Sequence, residues 1–306
     1  KKILRAILEN LAEGNSLAET LAKFPASFSP FFISMVKVGE SQGQLDKSLQ
    51  RVNQHLEIMR ENKQKIINAL TYPLLLMGSS IAVLTLMIIF VLPKFVTIFQ
   101  QAEVALPTPT KILFAINMIF QNYSWIIIAV LLALISGYFL MIHNHKTKII
   151  IDRYKLKLPL IGELLLSVYI ARFCRTFGIL YQSGTPLLES IELSKPTLNN
   201  KVLTAEINKL IKSVHNGEGI AQPLSGSKIF PPMMSQMIAV GEQSGKLDKL
   251  LLDVAAYYEQ EADYKIKKQL SLIEPLSLMV ISGMVAFIAA AIMLPLFKMA
   301  GAIRTF

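Results

Sequence analysis

Three stretches of the chain carry no Asp, Glu, Lys or Arg: residues 66–91, 112–142 and 275–297. A bilayer is crossed by roughly 20 apolar helical residues, so each stretch is long enough to span one. The middle stretch exceeds that need. Gln121-Asn122-Tyr123 interrupts it and Trp125 stands at an interface depth, so its span is expected over 124–142. The first apolar stretch begins more than sixty residues into the sequence, too far along for a signal peptide. Outside these stretches the apolar positions fall three and four apart. Leu45, Leu49, Val52, Leu56, Met59 and Ile66 form one such stripe and Leu247, Leu251, Val254 and Tyr258 another, and both predict core-facing helices. No run alternates with a strand period long enough to argue for a sheet, which predicts an all-α protein.

The two stripes are parts of a repeat offset by 202 residues. Val38-Gly39-Glu40-Ser41-Gln42-Gly43-Gln44-Leu45-Asp46-Lys47 aligns with Val240-Gly241-Glu242-Gln243-Ser244-Gly245-Lys246-Leu247-Asp248-Lys249. Around that core, Phe28 and Pro30 match Phe230 and Pro232, Glu57 matches Glu259, Lys65 matches Lys267, and Pro73-Leu74 matches Pro275-Leu276. The register continues into the apolar stretches, where Leu92-Pro93 and Phe95 align with Leu294-Pro295 and Phe297. Each copy is therefore a polar helical segment leading into one membrane helix. The second copy is preceded by residues 167–202, with a Ser183-Gly184-Thr185-Pro186 turn; about 35 residues have no partner ahead of Lys1. That predicts an N-terminally shortened chain or a naturally incomplete first bundle, which the intact mass of the native protein distinguishes.

Charge fixes the expected orientation. The chain has a formal net charge of +10, with 53% hydrophobic and 17% charged residues, richer in apolar groups than an ordinary soluble domain. Three crossings put 1–65 and 143–274 on one side with 10 and 17 Lys plus Arg, against 2 in each of 94–111 and the tail. Basic juxtamembrane segments stay in the cytoplasm, so the two long segments are expected there. The expected organisation is a first bundle over 1–67, a membrane helix over 68–98, and an outer loop with a helix start over 99–123. A second membrane helix follows over 124–142, then a second bundle over 143–274, a third membrane helix over 275–297 and an outer tail over 298–306. Topology and attraction to anionic lipid account for the basic excess, and no nucleic-acid motif accompanies it.

Candidate chemistry is sparse. The single cysteine, Cys174, permits no intrachain disulfide and reads as a packed helix thiol. His143-Asn144-His145 is the one histidine cluster, and residues two apart face different sides of a helix. Gly245-Lys246 fails the phosphate-loop pattern, because Val240 stands where its first glycine should and Leu247 follows the lysine. Gly217-Glu218-Gly219 lacks the third glycine and preceding strand of a dinucleotide fingerprint. The three apolar stretches hold none of the ionisable residues that mark an ion or substrate path. No cofactor, metal or catalytic residue is expected. The duplicated motif is read structurally: Gly43 and Gly245 as left-handed helix stops, Glu40 and Glu242 as local capping or pairing groups, and Asp46 and Asp248 as first-turn acids favoured by the helix dipole. Pro73 and Pro275 are expected to kink the helix or begin a new one where the chain meets the bilayer.

The residues Gly39-Glu40, Gly43, Leu45-Asp46 and Gly241-Glu242, Gly245, Leu247-Asp248 resemble the doubled signature of the platform proteins of type II secretion and type IV pilus machines. So do Phe28-Ser29-Pro30 and Phe230-Pro231-Pro232, Tyr72-Pro73 and Glu274-Pro275, and Leu92-Pro93 and Leu294-Pro295, and the resemblance covers the whole chain. It implies two homologous cytoplasmic helical bundles and three membrane helices in the bacterial inner membrane. The implied role is non-enzymatic, coupling a cytoplasmic hexameric secretion ATPase to assembly of pilin or pseudopilin subunits. Other inner-membrane assembly proteins, membrane lipid and further copies of the chain are the implied partners. The motifs are shared between the pilus and secretion branches. The alternative is an oligomeric transporter or channel; a receptor would need more external protein than residues 100–110 provide.

Overall fold

The structure, a computed structural model, describes residues 2–91, 93–94 and 145–303, with isolated positions between 108 and 136. The loop expected at 99–123, the middle span at 124–142 and the pair His143-Asn144 lie outside the described residues, apart from those isolated positions. Among the described residues every regular element is helical. The first copy comprises α1 (Lys2–Ala12), α2 (Leu17–Ala22), α3 (Pro30–Ser41) and α4 (Leu45–Leu86), with a π-helical turn over Met87–Val91. After α5 (His145–Lys157), α6 (Ile161–Gln182) and α7 (Leu187–Ser194), the second copy repeats the series as α8 (Lys201–His215), α9 (Ala221–Ser225), α10 (Pro232–Ser244) and α11 (Leu247–Ile303). Side chains cap the starts of several of these helices. Ser16 and Glu19 form a capping box on α2, Ser29 caps α3 with Pro30 in its first turn, and Asn200 accepts from the Val202 and Leu203 amides of α8.

Two compact units result, Lys1–Lys65 with His145–Ile266 and Ile66–Asn144 with Lys267–Phe306. In the first, the second copy supplies the larger core, where α6 contributes Phe173, Cys174 and Phe177, α8 Leu203 and Ile207, and α11 Leu251 and Val254. A smaller core under the first copy gathers Ala18, Leu21 and Val36. The two copies are joined by Phe31, Met35 and Val52 packing on Leu180 of α6, with Gln42 donating to the Ser183 carbonyl (3.1 Å) and Arg51 to the Ser183 hydroxyl (2.9 Å). α6 and the Leu247–Ala291 part of α11 are long and apolar enough to cross a membrane. Half of the α6 window is buried in the first unit, which makes α6 a core helix; none of the α11 window is.

Two expectations need correction. The stripe on α11 is fully buried, but on α4 only Val52 of its counterparts is: Leu49 and Leu56 are 39% and 54% exposed, against 0% for Leu251. The buried line of α4 is Ser48, Val52 and His55. The cause is α6, which covers α11 through close approach at Gly178 and the Arg175–Glu259 pair, whereas among the described residues no helix covers Leu49 and Leu56 in the same way. Pro73 and Pro275 begin no new helix either, since α4 and α11 run through them and α11 continues into the expected outer tail as far as Ile303. A proline deprives the carbonyl four residues back of its donor, yet such sites are tolerated in apolar helices where neighbouring groups re-satisfy the backbone.

His55 lies in the seam between the copies, 5% exposed, its ring 4.5 Å from Phe31. Burial, reinforced by the Arg175 charge, lowers its pKa from 6.5 to about 4, and Nδ1 has no hydrogen-bond partner. A base with a depressed folded-state pKa stabilises the fold fully above its unfolded pKa, and that contribution disappears as pH falls from 6.5 towards 4. The purified protein in detergent should therefore lose about 2 kcal/mol between pH 7 and pH 5 from this group. The H55L variant should show a flatter midpoint-against-pH profile; equal slopes for both proteins would exclude His55 as the source.

Candidate functional site: a glutamate corner built twice

Each copy of the motif turns one helix into the next. α3 ends where the Gln42 amide donates to Val38, and Gly43 then adopts φ +66°. α10 ends at Gly245 with φ +67°. These left-handed values are costly for a residue with a Cβ, which is why glycine stands at both corners. The Gln44 and Lys246 amides donate back to the carbonyls of Gly39 and Gly241 at 2.8 and 3.0 Å, closing the two turns alike. Leu45 packs on the first-copy core and Leu247 is buried in the second. Asp46 and Asp248 occupy the first turns of α4 and α11, where the helix dipole favours a negative charge.

The glycines before the glutamates allow the helices to touch. A Cβ on Gly39 would come within 2.7 Å of the Ser48 Cβ and 3.1 Å of the Leu45 Cα; on Gly241 it would meet the Leu247 Cα at 3.1 Å and the Leu250 Cβ at 3.2 Å. Glu40 and Glu242 each cap a helix more than twenty residues earlier in the chain. Glu40 accepts from the Leu17 amide at Oε1 (2.8 Å) and the Ala18 amide at Oε2 (3.2 Å). Glu242 accepts from the Ile220 amide at Oε1 (2.8 Å) and the Ala221 amide at Oε2 (3.1 Å). The first amides of a helix lack intrahelical partners, so each carboxylate satisfies two of them and complements the positive end of the dipole. With Ser16 accepting from the Glu19 amide, the first three donors of α2 are all taken.

The turns ahead of α2 and α9 also match, with Gly14 at φ +88° and Gly217 at φ +82°. Gly219 belongs to the Gly217-Glu218-Gly219 run, which fails the dinucleotide fingerprint. A Cβ there would stand 2.5 Å from Glu242 Oε1, so its hydrogen atom leaves the carboxylate room to reach α9. The offset of 203 residues that relates Gly14 to Gly217 sets Ser16 opposite Gly219, so the repeat carries no signal for this glycine. Of the prolines, Pro93 follows the π-helical turn and Pro295 lies within α11. Cys174 is buried and its thiol pKa is raised by that burial, which leaves it an inert packing group.

A family profile described as type II secretion system (T2SS), protein F, matches residues 1–93 and 173–295, two segments whose ends lie 202 residues apart. The chain belongs to that family. Its relatives include a type II secretion system protein F of Aeromonas hydrophila, 32% identical over 98% of this chain and 77% of the relative. A type IV pilus assembly protein PilC of Pseudomonas aeruginosa is 31% identical over 98% of this chain and 80% of its own length. Another of Myxococcus xanthus is 30% identical over 99% and 73%. Family membership and the apolar length of α11 make this a membrane protein.

Removing either carboxylate leaves two backbone donors unpaired at a solvent-exposed helix end. E40A and E242A should each lower stability by about 1 to 2 kcal/mol, read from denaturant or thermal midpoints. G39A should cost about 1 to 3 kcal/mol because Ser48 Cβ cannot rotate away from the added methyl; a midpoint equal to that of the parent would show that α3 and α4 can separate freely.

Proposed function

We propose that this protein is a non-enzymatic inner-membrane platform of a type IV pilus or type II secretion machine. In this reading its helical units face the cytoplasm, three helices cross the membrane, and the two bundles pass movement from a hexameric secretion ATPase to pilin-like subunits in the bilayer. The observation that carries it is the agreement along almost the whole chain with relatives named for pilus assembly and for type II secretion. The twice-built corner supports it: its glycines and carboxylates are consumed in holding helices against one another, which suits a part that transmits force. Gly39, Glu40, Gly43, Leu45 and Asp46, with Gly241, Glu242, Gly245, Leu247 and Asp248, then act as bundle-shaping residues. Lys63, Lys65, Lys146, Lys148, Lys265, Lys267 and Lys268 form a basic skirt against anionic lipid, in which Lys65 also pairs with Asp263 at 3.6 Å.

Purification from native membranes in a gentle detergent, followed by mass spectrometry of what stays bound, tests the reading. A secretion-type ATPase and pilin-like subunits should be recovered. Recovery of the chain alone, with a conductance when it is placed in liposomes, would replace the platform by a transporter. Charge reversal of Lys63, Lys148, Lys267 and Lys268 together should reduce filament or secretion output several-fold, and undiminished output would remove the skirt from the account.

A further inference from the structure

Three positions at which the two copies differ meet in one place. At the 202-residue offset, Gln42, Arg51 and His55 align with Ser244, Asp253 and Tyr257. In the second copy these positions are exposed, Tyr257 to 42%. In the first copy all three lie in the seam between the copies. Gln42 and Arg51 donate to the carbonyl and the hydroxyl of Ser183 just past the end of α6, and His55 is buried beside Phe31. Gly184, at φ +94°, leaves Gln42 room, since a Cβ there would stand 2.9 Å from Gln42 Nε2. The shared residues thus shape each copy, and these unshared ones join the first to the second.

The joint is thin and polar. Its buried apolar groups among the described residues are Phe31, Met35, Val52 and Leu180, whereas the core of the second copy gathers twenty buried side chains. Apolar burial is the main term that holds helices together, so the seam is held far less firmly than that core. Its hydrogen bonds add little net, because Gln42, Arg51 and Ser183 regain partners from water when they separate. Two buried atoms find partners only on opening. His55 Nδ1 has none in the closed seam, and neither has Oγ1 of Thr185, in the turn that Gln42 and Arg51 grip. On parting, the first copy keeps its core of Ala18, Leu21 and Val36 and its Glu40 cap. A boundary with few buried apolar groups opens before the larger core behind it does.

We infer that the seam is a releasable joint. Gln42 and Arg51 are its latch on Ser183, and on release α1, α2, α3 and the first turns of α4 swing away from the end of α6 together while the core of the second copy stays folded. The joint lies within the first unit and holds whatever partners the protein engages.

Spin labels on Glu13→Cys in the first copy and Lys212→Cys in the second, in the full chain in detergent, read the distance across the seam; Cys174 is buried and stays unlabelled. Hydrogen exchange at the Ile207 and Leu251 amides reads the second core. The parent should show one main distance and a minor longer one. Q42A/R51A should raise the longer fraction several-fold. H55L, which replaces an unpaired polar ring by an apolar side chain, should lower it, with exchange at Ile207 and Leu251 unchanged in both variants. The same distance distribution in the parent and both variants would overturn the joint. A longer distance accompanied by equally faster exchange at Ile207 and Leu251 would overturn it too, because the copies would then unfold as one cooperative body.

Discussion

The first unit depends on a carboxylate reaching back across more than twenty residues to two helix amides, once in each copy. Every helix leaves its first donors without intrahelical partners, and a short helix such as α9 has too few internal bonds to hold its end without help. Glu40 and Glu242 fasten α2 and α9 to the helices that carry them. Gly39 and Gly241 then let the next helices lie close, and Gly43 and Gly245 supply the reversal between them. α4 and α11 start at these corners and continue into the apolar stretches.

α6 makes the two copies into one body. Its Gly178 and Arg175 side receives α11, and its C-terminal end, through Leu180 and Ser183, receives α3 and α4. One helix therefore serves two similar partners by different chemistry, an ion pair with close packing on one side and an apolar seam with a polar latch on the other. The seam also holds His55 as a neutral ring beside Phe31, so the joint between the copies is sensitive to acid while the larger core is built almost wholly from apolar groups.

Much of this is legible in the sequence because it is local or repeated. The helical period, the left-handed glycines and the first-turn aspartates are properties of a few adjacent residues. The partners of the glutamates are not, since nothing near Glu40 points to Leu17; they emerge only when the turn containing Gly14 is matched to the turn containing Gly217. The stripe on α4 misleads for a related reason. Period tells which residues share a face, whereas burial depends on a neighbour, and α6 covers Leu251 but not Leu49. At Pro73 and Pro275 local propensity allowed either a kink or the start of a new helix, and the helices continuing through both prolines exclude only the second.

The central claim is that Glu40 and Glu242 are equivalent caps, each holding its own α2 or α9. Hydrogen exchange at the Leu17, Ala18, Ile220 and Ala221 amides measures this directly in the parent and in the two alanine variants. The account predicts that E40A speeds exchange at Leu17 and Ala18 alone and E242A at Ile220 and Ala221 alone. Unchanged exchange at those amides in either variant would show that the carboxylates do not cap these helices in solution.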